Sequence, residues 1–545
     1  MSDFCGICEG FFTVNKPNIV LILADDMGFS DIGCFGSEIH TPVLDGLAKD
    51  GIRFTQMYNC ARCCPTRASL LTGLNPHQAG IGHMVNDRGY PPYQGYLNDS
   101  CLTIAEALKL GGYRTLMSGK WHVGGSYIAN KPETWAPGTF DHPLPVDRGF
   151  DEHYGMLGGG GSYFHPPYMI LNRKIIDPGV EPGYYLTDTI SDEAVRMIRE
   201  SNSPNEPFFL YAAYTAPHWP LHARPEDIDI YRGTYRGGGW DTLRTARHEE
   251  QKGLRILDSR WPISPRDAHA PSWENVGEKD WEDLRMAVYA AQVHRLDMGI
   301  GKIVDELKTQ GRLNNTIIFF LSDNGGCAEF LAEESNRRES FRYSIPTPDG
   351  RSMRIGNSAE IDPGPDDTFA SYDLPWANAS NSPFRLFKHW VHEGGISTPF
   401  IVHWPDGIKT PAGRREGSIC HAPWHVSDIM ATCLDAASVR YPDEYRDRTI
   451  TPMDGESFLS ALRIPTQETR RTLPIILEHE GNCAVRDGEW KLVKKYPGDW
   501  ELYNMIRDRT ELVDLADTEK PRVSAMAKRY DEWAYRCGVM PWEQL

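Results

Sequence analysis

Short, unbroken apolar segments placed between helical patterns constrain the fold of this chain more than any other feature. Three such segments run from Asn18 to Ala24, from Phe208 to Ala213 and from Thr316 to Leu321. Segments of this kind are typical of strands that are covered on both faces. Helical patterns occur between them, at Thr41 to Lys49, Leu102 to Leu110 and Leu284 to Lys308. The alternation predicts an α/β fold: a large mixed, mostly parallel sheet sandwiched by helices.

The pattern changes near residue 450, where shorter strands take over. Four candidate strands run from Leu473 to Leu477, Cys483 to Val485, Trp490 to Val493 and Trp500 to Tyr503, followed by a helical pattern from Pro521 to Ala534. Asp487-Gly488 is a strong hairpin signal between two of them. We therefore predict a flexible tail over residues 1–14, a large α/β domain over 15–450 and a smaller subdomain with an antiparallel sheet over 451–545.

Composition and charge exclude several classes of protein. The formal net charge of the 545 residues is -18, with no basic block to offset it, which argues against a nucleic-acid partner or an anionic membrane surface. The N-terminus lacks the basic flank and apolar core of a signal peptide, and no apolar run is long enough to cross a bilayer. We expect a cytoplasmic protein whose twelve scattered cysteines are reduced.

Polar side chains follow four predicted strands at their carboxyl ends: the three apolar segments above and a shorter strand from Tyr113 to Met117. Asp25-Asp26, Ser322-Asp323-Asn324, Ser118-Gly119-Lys120-Trp121-His122 and Ala216-Pro217-His218 occupy these positions. Because ligands of such sheets bind outside the carboxyl ends of the strands, we expect these groups to line one site. The stretch from Glu329 to Pro383, polar and without a sustained period, is expected to form its rim.

A cysteine set against an arginine marks the segment from Cys63 to Gly73. Pro65 suits the first position of a helix and Gly73 suits a helix C-terminus, so Cys63 would lie near a helix N-terminus with Arg67 one turn along. The helix dipole and the arginine would make that thiol acidic. A buried structural cysteine on a core helix is the alternative, and the neighbouring motifs have to decide between them.

Hard oxygen donors dominate two of the strand ends. Asp25, Asp26, Asp323 and Asn324 are the kind of ligands that calcium, magnesium or manganese prefer, whereas zinc would favour histidine or thiolate. The donors do not complete a cage. An open position would allow a metal there to hold a substrate oxygen or a nucleophile.

Taken together, these motifs resemble the type I, formylglycine-dependent sulfatase family. The resemblance runs from about Pro17 to Leu515 and rests on the signature C-x-P-x-R-x-x-L-x-x-G at Cys63 to Gly73, with Gly119 to His122, Arg148 to Asp151, Asp323 to Gly325, and Gly394-Gly395 after Lys388. The bacterial arylsulfatases are the most similar branch, on the basis of Ala216 to Pro220 and Ala79 to Gly82. The expected fold is then alkaline-phosphatase-like, and residues 15–450 form the catalytic domain.

The resemblance implies a role for each of these residues. Cys63 would be oxidised to formylglycine by a maturation enzyme, and its hydrate would attack a sulfate monoester such as an aryl sulfate. One divalent cation, most consistent with Ca²⁺ and with Mn²⁺ or Mg²⁺ as alternatives, would be held by Asp25, Asp26, Cys63, Asp323 and Asn324. Arg67, Lys120 and Lys388 would neutralise the sulfate, Asp323 would take the diol proton, His218 would protonate the leaving oxygen, and His122 would deprotonate the remaining hydroxyl.

Other functions fit parts of this pattern. A phosphonate or phosphate ester hydrolase on the same scaffold, or an enzyme promiscuous for both esters, shares the cysteine signature and the metal ligands. A cysteine phosphatase needs a cysteine six residues before the arginine, where this chain has Ala61. A non-catalytic relic would lack a member of the motif set, and every member is present. Aromatic side chains of Tyr163, Phe164, Trp219 and Trp376 would either wall the leaving-group pocket or simply pack in the core.

Overall fold

The computed structural model describes residues 16–178, 182–201, 203, 206–331, 345–408, 417–463 and 469–545. The predicted tail over residues 1–14 lies outside the described residues. Among those described, no helix combines the length and the apolar character that crossing a bilayer would need. The ten described cysteines are all buried and unbridged, which fits the prediction of reduced thiols.

Strands make up one large sheet and three small ones. The strands are β1 Asn18–Ala24, β2 Ile52–Tyr58, β3 Arg114–Gly119, β4 Glu152–Met156, β5 Met169–Leu171, β6 Lys174–Ile175, β7 Phe208–Ala213, β8 Thr316–Ser322, β9 Arg354–Ile355, β10 Thr368–Phe369, β11 Ser397–His403, β12 Ser418–Cys420, β13 Trp424–His425, β14 Glu444–Tyr445, β15 Arg448–Thr449, β16 Ile475–His479, β17 Asn482–Asp487, β18 Trp490–Lys494 and β19 Trp500–Asn504.

Helices connect these strands and cover the large sheet. They are α1 Pro42–Lys49, α2 Cys63–Thr72, α3 Ile104–Leu110, α4 Leu186–Glu200, α5 Pro225–Asp229, α6 Gly239–Gly253, α7 Lys279–Thr309, α8 Asp373–Ser380, α9 Glu393–Ile396, α10 Ser427–Ala436, α11 Leu459–Arg463 and α12 Lys520–Cys537. α4 packs against β3, β7 and α7, and α1 packs against β2 and β11.

The large sheet is mixed, and its centre is parallel. Its order is β12-β2-β11-β8-β1-β7-β3-β4-β5-β6, with β13 also paired to β2. β8, β1, β7, β3 and β4 are parallel neighbours, whereas β11 is antiparallel to both β8 and β2. Every residue of β1, β7 and β8 is buried, as the unbroken apolar runs predict. The predicted mixed, mostly parallel sheet with helices is confirmed.

A four-stranded antiparallel sheet, β16-β17-β18-β19, follows near the C-terminus. Its residues alternate between two apolar clusters, as the two-residue period of a strand requires. Ala484, Val493 and Tyr503 join the main core, while the intervening Val485, Leu492 and Leu502 pack with α12. The smaller antiparallel sheet is therefore confirmed, and it is held to the main core by one of its faces.

Buried charges also join this small sheet to the rest of the chain. Lys491 Nζ on β18 lies 2.9 Å from Glu393 Oε1 and 2.7 Å from Glu511 Oε1, and Arg509 Nε lies 3.1 Å from Glu393 Oε2. All four side chains are fully buried. Two cations and two carboxylates thus balance one another away from water, and removal of one would leave an uncompensated buried charge.

Two details differ from the sequence predictions. Pro65 is the third residue of α2 and not the first, because the helix already begins at Cys63. A proline is tolerated there, since the first four N–H groups of a helix have no partner within it. The stretch from Glu329 to Pro383 contains β9, β10 and α8. The two strands pair with each other and have two residues each, which is too short to give a sequence period.

Candidate active site

The four polar strand ends meet because their strands are neighbours. β8, β1, β7 and β3 lie side by side and parallel, so their carboxyl ends share one edge of the sheet. The residues that follow them, Asp323, Asp25, His218 and Lys120, are all buried. The site predicted from the sequence is therefore one cluster of side chains.

Helix α2 brings Cys63 to this edge. The helix ends at Gly73, which adopts the predicted left-handed conformation with φ 67° and donates its N–H to Ser69 O. All ten helix residues are buried, so α2 is a core helix. The core-helix alternative thus describes the position of Cys63, and the acidity of its thiol depends on the side chains around it.

Cys63 lies beside Cys64 and His122, and the three ligand atoms are within 4.8 Å of one another. A hydrogen bond from the Cys64 thiol, together with the positive charges of Lys120 and Lys388, lowers the pKa of Cys63 well below its usual range, although burial opposes that shift. Cys64 Sγ is also 3.3 Å from His122 Nε2. Burial lowers the pKa of His122 to about 4, so the imidazole is neutral near pH 7 and can accept a proton.

Arg67 and Lys120 form one half of a charged cluster. Arg67 donates from Nη2 to Asp323 Oδ2 over 2.8 Å and from Nη1 to the Lys120 carbonyl over 3.1 Å. Lys120 Nζ donates to Asp25 Oδ2 over 2.6 Å. Burial and the neighbouring Asp25 raise the pKa of Asp323 well above its usual range. The carboxylates of Asp25 and Asp323 thus lie close together in a buried site, where additional positive charge would stabilise their ionised forms.

Asp26 anchors the other half. Lys388 Nζ lies 2.7 Å from Asp26 Oδ1, Asn324 Nδ2 donates to that same oxygen over 2.7 Å, and His218 Nε2 lies 3.5 Å from Oδ2. Burial alone would raise the pKa of Asp26, but Lys388 and His218 together hold it at about 2. Burial lowers the pKa of His218 to about 4, and its Nδ1 lies 2.6 Å from the Trp219 carbonyl.

The donor set fits a hard divalent cation. Two buried oxygens, Asp25 Oδ1 and Asn324 Oδ1, have no hydrogen-bond partner among the described residues. Buried polar atoms are rarely left without partners, and an ion is one of the groups that satisfies them. Oxygen atoms from Asp25, Asp26, Asp323 and Asn324 are the ligand type that Ca²⁺ and Mg²⁺ bind.

A glycine loop that no sequence motif assigns to the site packs against both histidines. A Cβ atom placed on Gly159 would lie 2.6 Å from His122 Nε2, and one on Gly160 would lie 3.2 Å from His218 Cε1. The run from Gly158 to Gly161 reads as a flexible loop in the sequence, whereas it lies against the two imidazoles. Four consecutive glycines are the one signal that could have indicated this close approach.

The rim also contains residues that the sequence does not single out. Arg62 Nη2 lies 2.8 Å from Glu329 Oε1, and Trp219 Nε1 donates to the other oxygen of Glu329 over 2.9 Å. Of the aromatic residues considered for a pocket wall, Trp219 has its ring centroid 4.5 Å from that of His218, with the two rings tilted by 45°. Trp376 is fully buried against Trp240 and Trp273. The beginning of the predicted rim segment therefore does border the site, and Trp376 is a core residue.

Comparisons with known proteins agree with this site. Residues 17–439 match the family described as Sulfatase. An uncharacterized sulfatase of Schizosaccharomyces pombe is 33% identical, with 96% of this chain and 94% of the relative covered. An arylsulfatase of Klebsiella aerogenes is also 33% identical, with 84% of this chain and 94% of the relative covered.

Solved structures show the same architecture. The crystal structure of Ps i-CgsB in complex with k-i-k-neocarrahexaose has a TM-score of 0.64 and 26% identity, and the match covers 95% of this chain and 93% of that one. The expected alkaline-phosphatase-like fold is confirmed. From the family match over most of its length and from these relatives, we conclude that this chain belongs to the type I sulfatase family.

Proposed function

We propose that this protein hydrolyses sulfate monoesters, with aryl sulfates as the substrate class, through a formylglycine made from Cys63 and one divalent cation. The observation that carries the proposal is the convergence of three buried cations and four oxygen-donor residues on the N-terminus of α2, where Cys63 lies. Membership of the sulfatase family supports sulfuric ester hydrolysis, and the Klebsiella relative supports the aryl substrate.

Asp25, Asp26, Asp323 and Asn324 would hold the cation, for which Ca²⁺ is our first choice because all four are hard oxygen donors. When present, the cation would supply Lewis-acid polarisation and the hydrated aldehyde would supply the nucleophile. Arg67, Lys120 and Lys388 surround this place with positive charge. These three side chains would bind the sulfate group and offset the charge that grows on it.

The two buried histidines divide the proton transfers between them. His218 would protonate the oxygen of the leaving alcohol or phenol from Nε2. Its pKa of about 4 keeps the free ring neutral, so the ring would have to take up a proton first, and the Asp26 carboxylate at 3.5 Å together with the bound anionic ester would favour that protonated form. His122 is neutral, and its Nδ1 has no hydrogen-bond partner among the described residues. It would take the proton whose removal releases sulfate. Asp323, which accepts a hydrogen bond from Arg67, would take the first proton from the nucleophile.

Mass spectrometry and rate measurements on two variants test the proposal. We expect the tryptic peptide around Cys63 to be lighter by about 18 Da, the change from thiol to aldehyde, in the wild type and in Cys64→Ser. Cys63→Ala should lack that change and lose turnover of an aryl sulfate while keeping its thermal unfolding midpoint. Retained turnover in Cys63→Ala would contradict the mechanism.

Parallel rates on an aryl sulfate and an aryl phosphonate monoester test the substrate class. We expect a higher kcat/KM for the sulfate. Both esters carry one negative charge, but the sulfate offers three oxygens to the three cations, whereas the phosphonate offers two oxygens and a carbon substituent. A higher kcat/KM for the phosphonate would assign the protein to the phosphonate or phosphate hydrolases that share this scaffold.

A further inference from the structure

A second group of metal-binding side chains lies outside the cluster described above. It consists of His83, His389, His479 and Glu480, which we call the histidine cluster. His83 comes from the loop after α2, and His389 directly follows Lys388. His479 is the last residue of β16, and Glu480 begins the turn to β17. Three separate segments of the chain therefore meet at these four side chains.

Three side chains of the histidine cluster lie close enough together for one ion to contact them all. Glu480 Oε1 lies 2.7 Å from His83 Nε2 and 3.7 Å from His479 Nε2, and Glu480 Oε2 lies 3.0 Å from His389 Nδ1. Ligand atoms of His83, His479 and Glu480 all fall within 4.8 Å of one another. Ligands of a tetrahedral zinc ion are about 3.3 Å apart, given bonds of about 2.0–2.1 Å. The observed distances bracket that value.

Unpartnered nitrogens are the second observation. His479 is fully buried, yet neither of its ring nitrogens has a hydrogen-bond partner among the described residues, and His83 Nδ1 is buried without one as well. Buried polar atoms without partners call for an explanation, and a bound ion is one. His77, outside the histidine cluster, shows the contrast: its two ring nitrogens lie at hydrogen-bond distance, 2.9 Å each, from Asn75 Oδ1 and Glu478 Oε2.

We propose that His83, His479 and Glu480, with His389 as the fourth ligand, bind a zinc-type transition-metal ion that fastens the β16–β17 turn to the segment carrying Lys388. Imidazole nitrogens with one carboxylate select Zn²⁺ or Co²⁺ over Ca²⁺, in contrast to the oxygen donors around Asp25 and Asp26. Four protein ligands leave no open position, so the ion has a structural role. Glu480 and His389 remain partly exposed and give the ion a way in.

Metal counting on the full-length chain tests this proposal. The protein is stripped with EDTA, incubated with ZnCl₂, desalted and analysed for zinc by mass spectrometry. We expect the double variant His83→Gln/His479→Gln to retain one zinc equivalent less than the wild type. His77→Gln, which alters the satisfied histidine beside the cluster, should retain as much zinc as the wild type. Equal zinc in wild type and double variant would show a hydrogen-bonded cluster only and overturn the proposal.

Cobalt absorption provides a readout that does not depend on the variants being folded. Co²⁺ in a four-coordinate site with nitrogen ligands absorbs strongly in the visible range, whereas Co²⁺ bound by six oxygens absorbs weakly. We expect the strong bands in the wild type and in His77→Gln, and their loss in the double variant. A wild-type spectrum with weak bands alone would refute the site even if the double variant failed to fold.

Discussion

Replacement of Gly159 by alanine tests whether the position of His122 matters for catalysis. The backbone of Gly159 is not in the left-handed region, so alanine fits its conformation, and only the added Cβ matters. That atom would lie 2.6 Å from His122 Cε1 and Nε2, against the 3.4 Å at which ordinary contact begins. The ring has to move by about 0.8 Å, and Cys64 Sγ, 3.3 Å from Nε2, restricts its retreat. A misplacement of about 1 Å at a reacting group costs on the order of 100-fold in rate.

We therefore expect Gly159→Ala to lower kcat/KM for an aryl sulfate by about 10- to 100-fold, with little change in the thermal unfolding midpoint. Gly160→Ala is the graded control, because its Cβ would be 3.2 Å from His218 Cε1 and needs a shift of only a few tenths of an ångström. Gly277→Ala is the inert control, with no atom within 4 Å of the added Cβ. The measurement is the steady-state kcat/KM of these three variants and of the wild type. If Gly159→Ala keeps more than about half of the wild-type kcat/KM, the reasoning about His122 is wrong.

Two further predictions concern stability, measured by denaturant unfolding. Lys491→Met should lower the free energy of unfolding by about 3–5 kcal/mol because it leaves buried carboxylates uncompensated. Lys491→Met/Glu511→Gln removes one of those carboxylate charges as well and should lower the free energy of unfolding less. The reverse order would contradict the charge balance described above. Burial lowers the pKa of His222 to about 4, from 6.5 in the unfolded chain. The unfolded state therefore binds a proton at higher pH than the folded state does. The free energy of unfolding should fall as the pH drops from 6.5 to 4. His222→Gln should remove about 3 kcal/mol of that pH dependence, and identical pH profiles would refute the assignment.

The centre of the sheet could be predicted from the sequence because burial on both faces leaves a plain signal. β1, β7 and β8 are unbroken apolar runs, and the structure places them within a residue of the predicted bounds. No local pattern in the sequence identifies β2 or β11. Both strands mix polar with apolar residues, and β11 is antiparallel between β8 and β2. Their strand conformation depends on neighbours distant in sequence, which a local pattern does not contain.

The predicted site residues are brought together for a similar reason. Asp25, Asp323 and His218 follow strands whose apolar patterns are clear, so topology alone predicts that they meet. Lys120 follows β3, in which only Leu116 and Met117 are apolar among polar residues and glycine. Lys388 follows no such strand and is found through resemblance to the family. Gly159 and Glu329 act through contacts made by folded loops, and nothing in their local sequence specifies which side chains they will touch.

β1 is the first strand to be synthesised but lies in the middle of the large sheet, which determines when it can be fully paired. β1 pairs with β7 and β8, so both of its edges are hydrogen-bonded only after β8 has been synthesised as far as Ser322. Cys63 leaves the ribosome 260 residues before Asp323. At about 5–20 residues per second, that interval lasts roughly 15–50 s. In the finished fold Cys63 is 2% exposed. The thiol of Cys63 is thus accessible to the oxidation that we propose during translation, before the completed fold buries it.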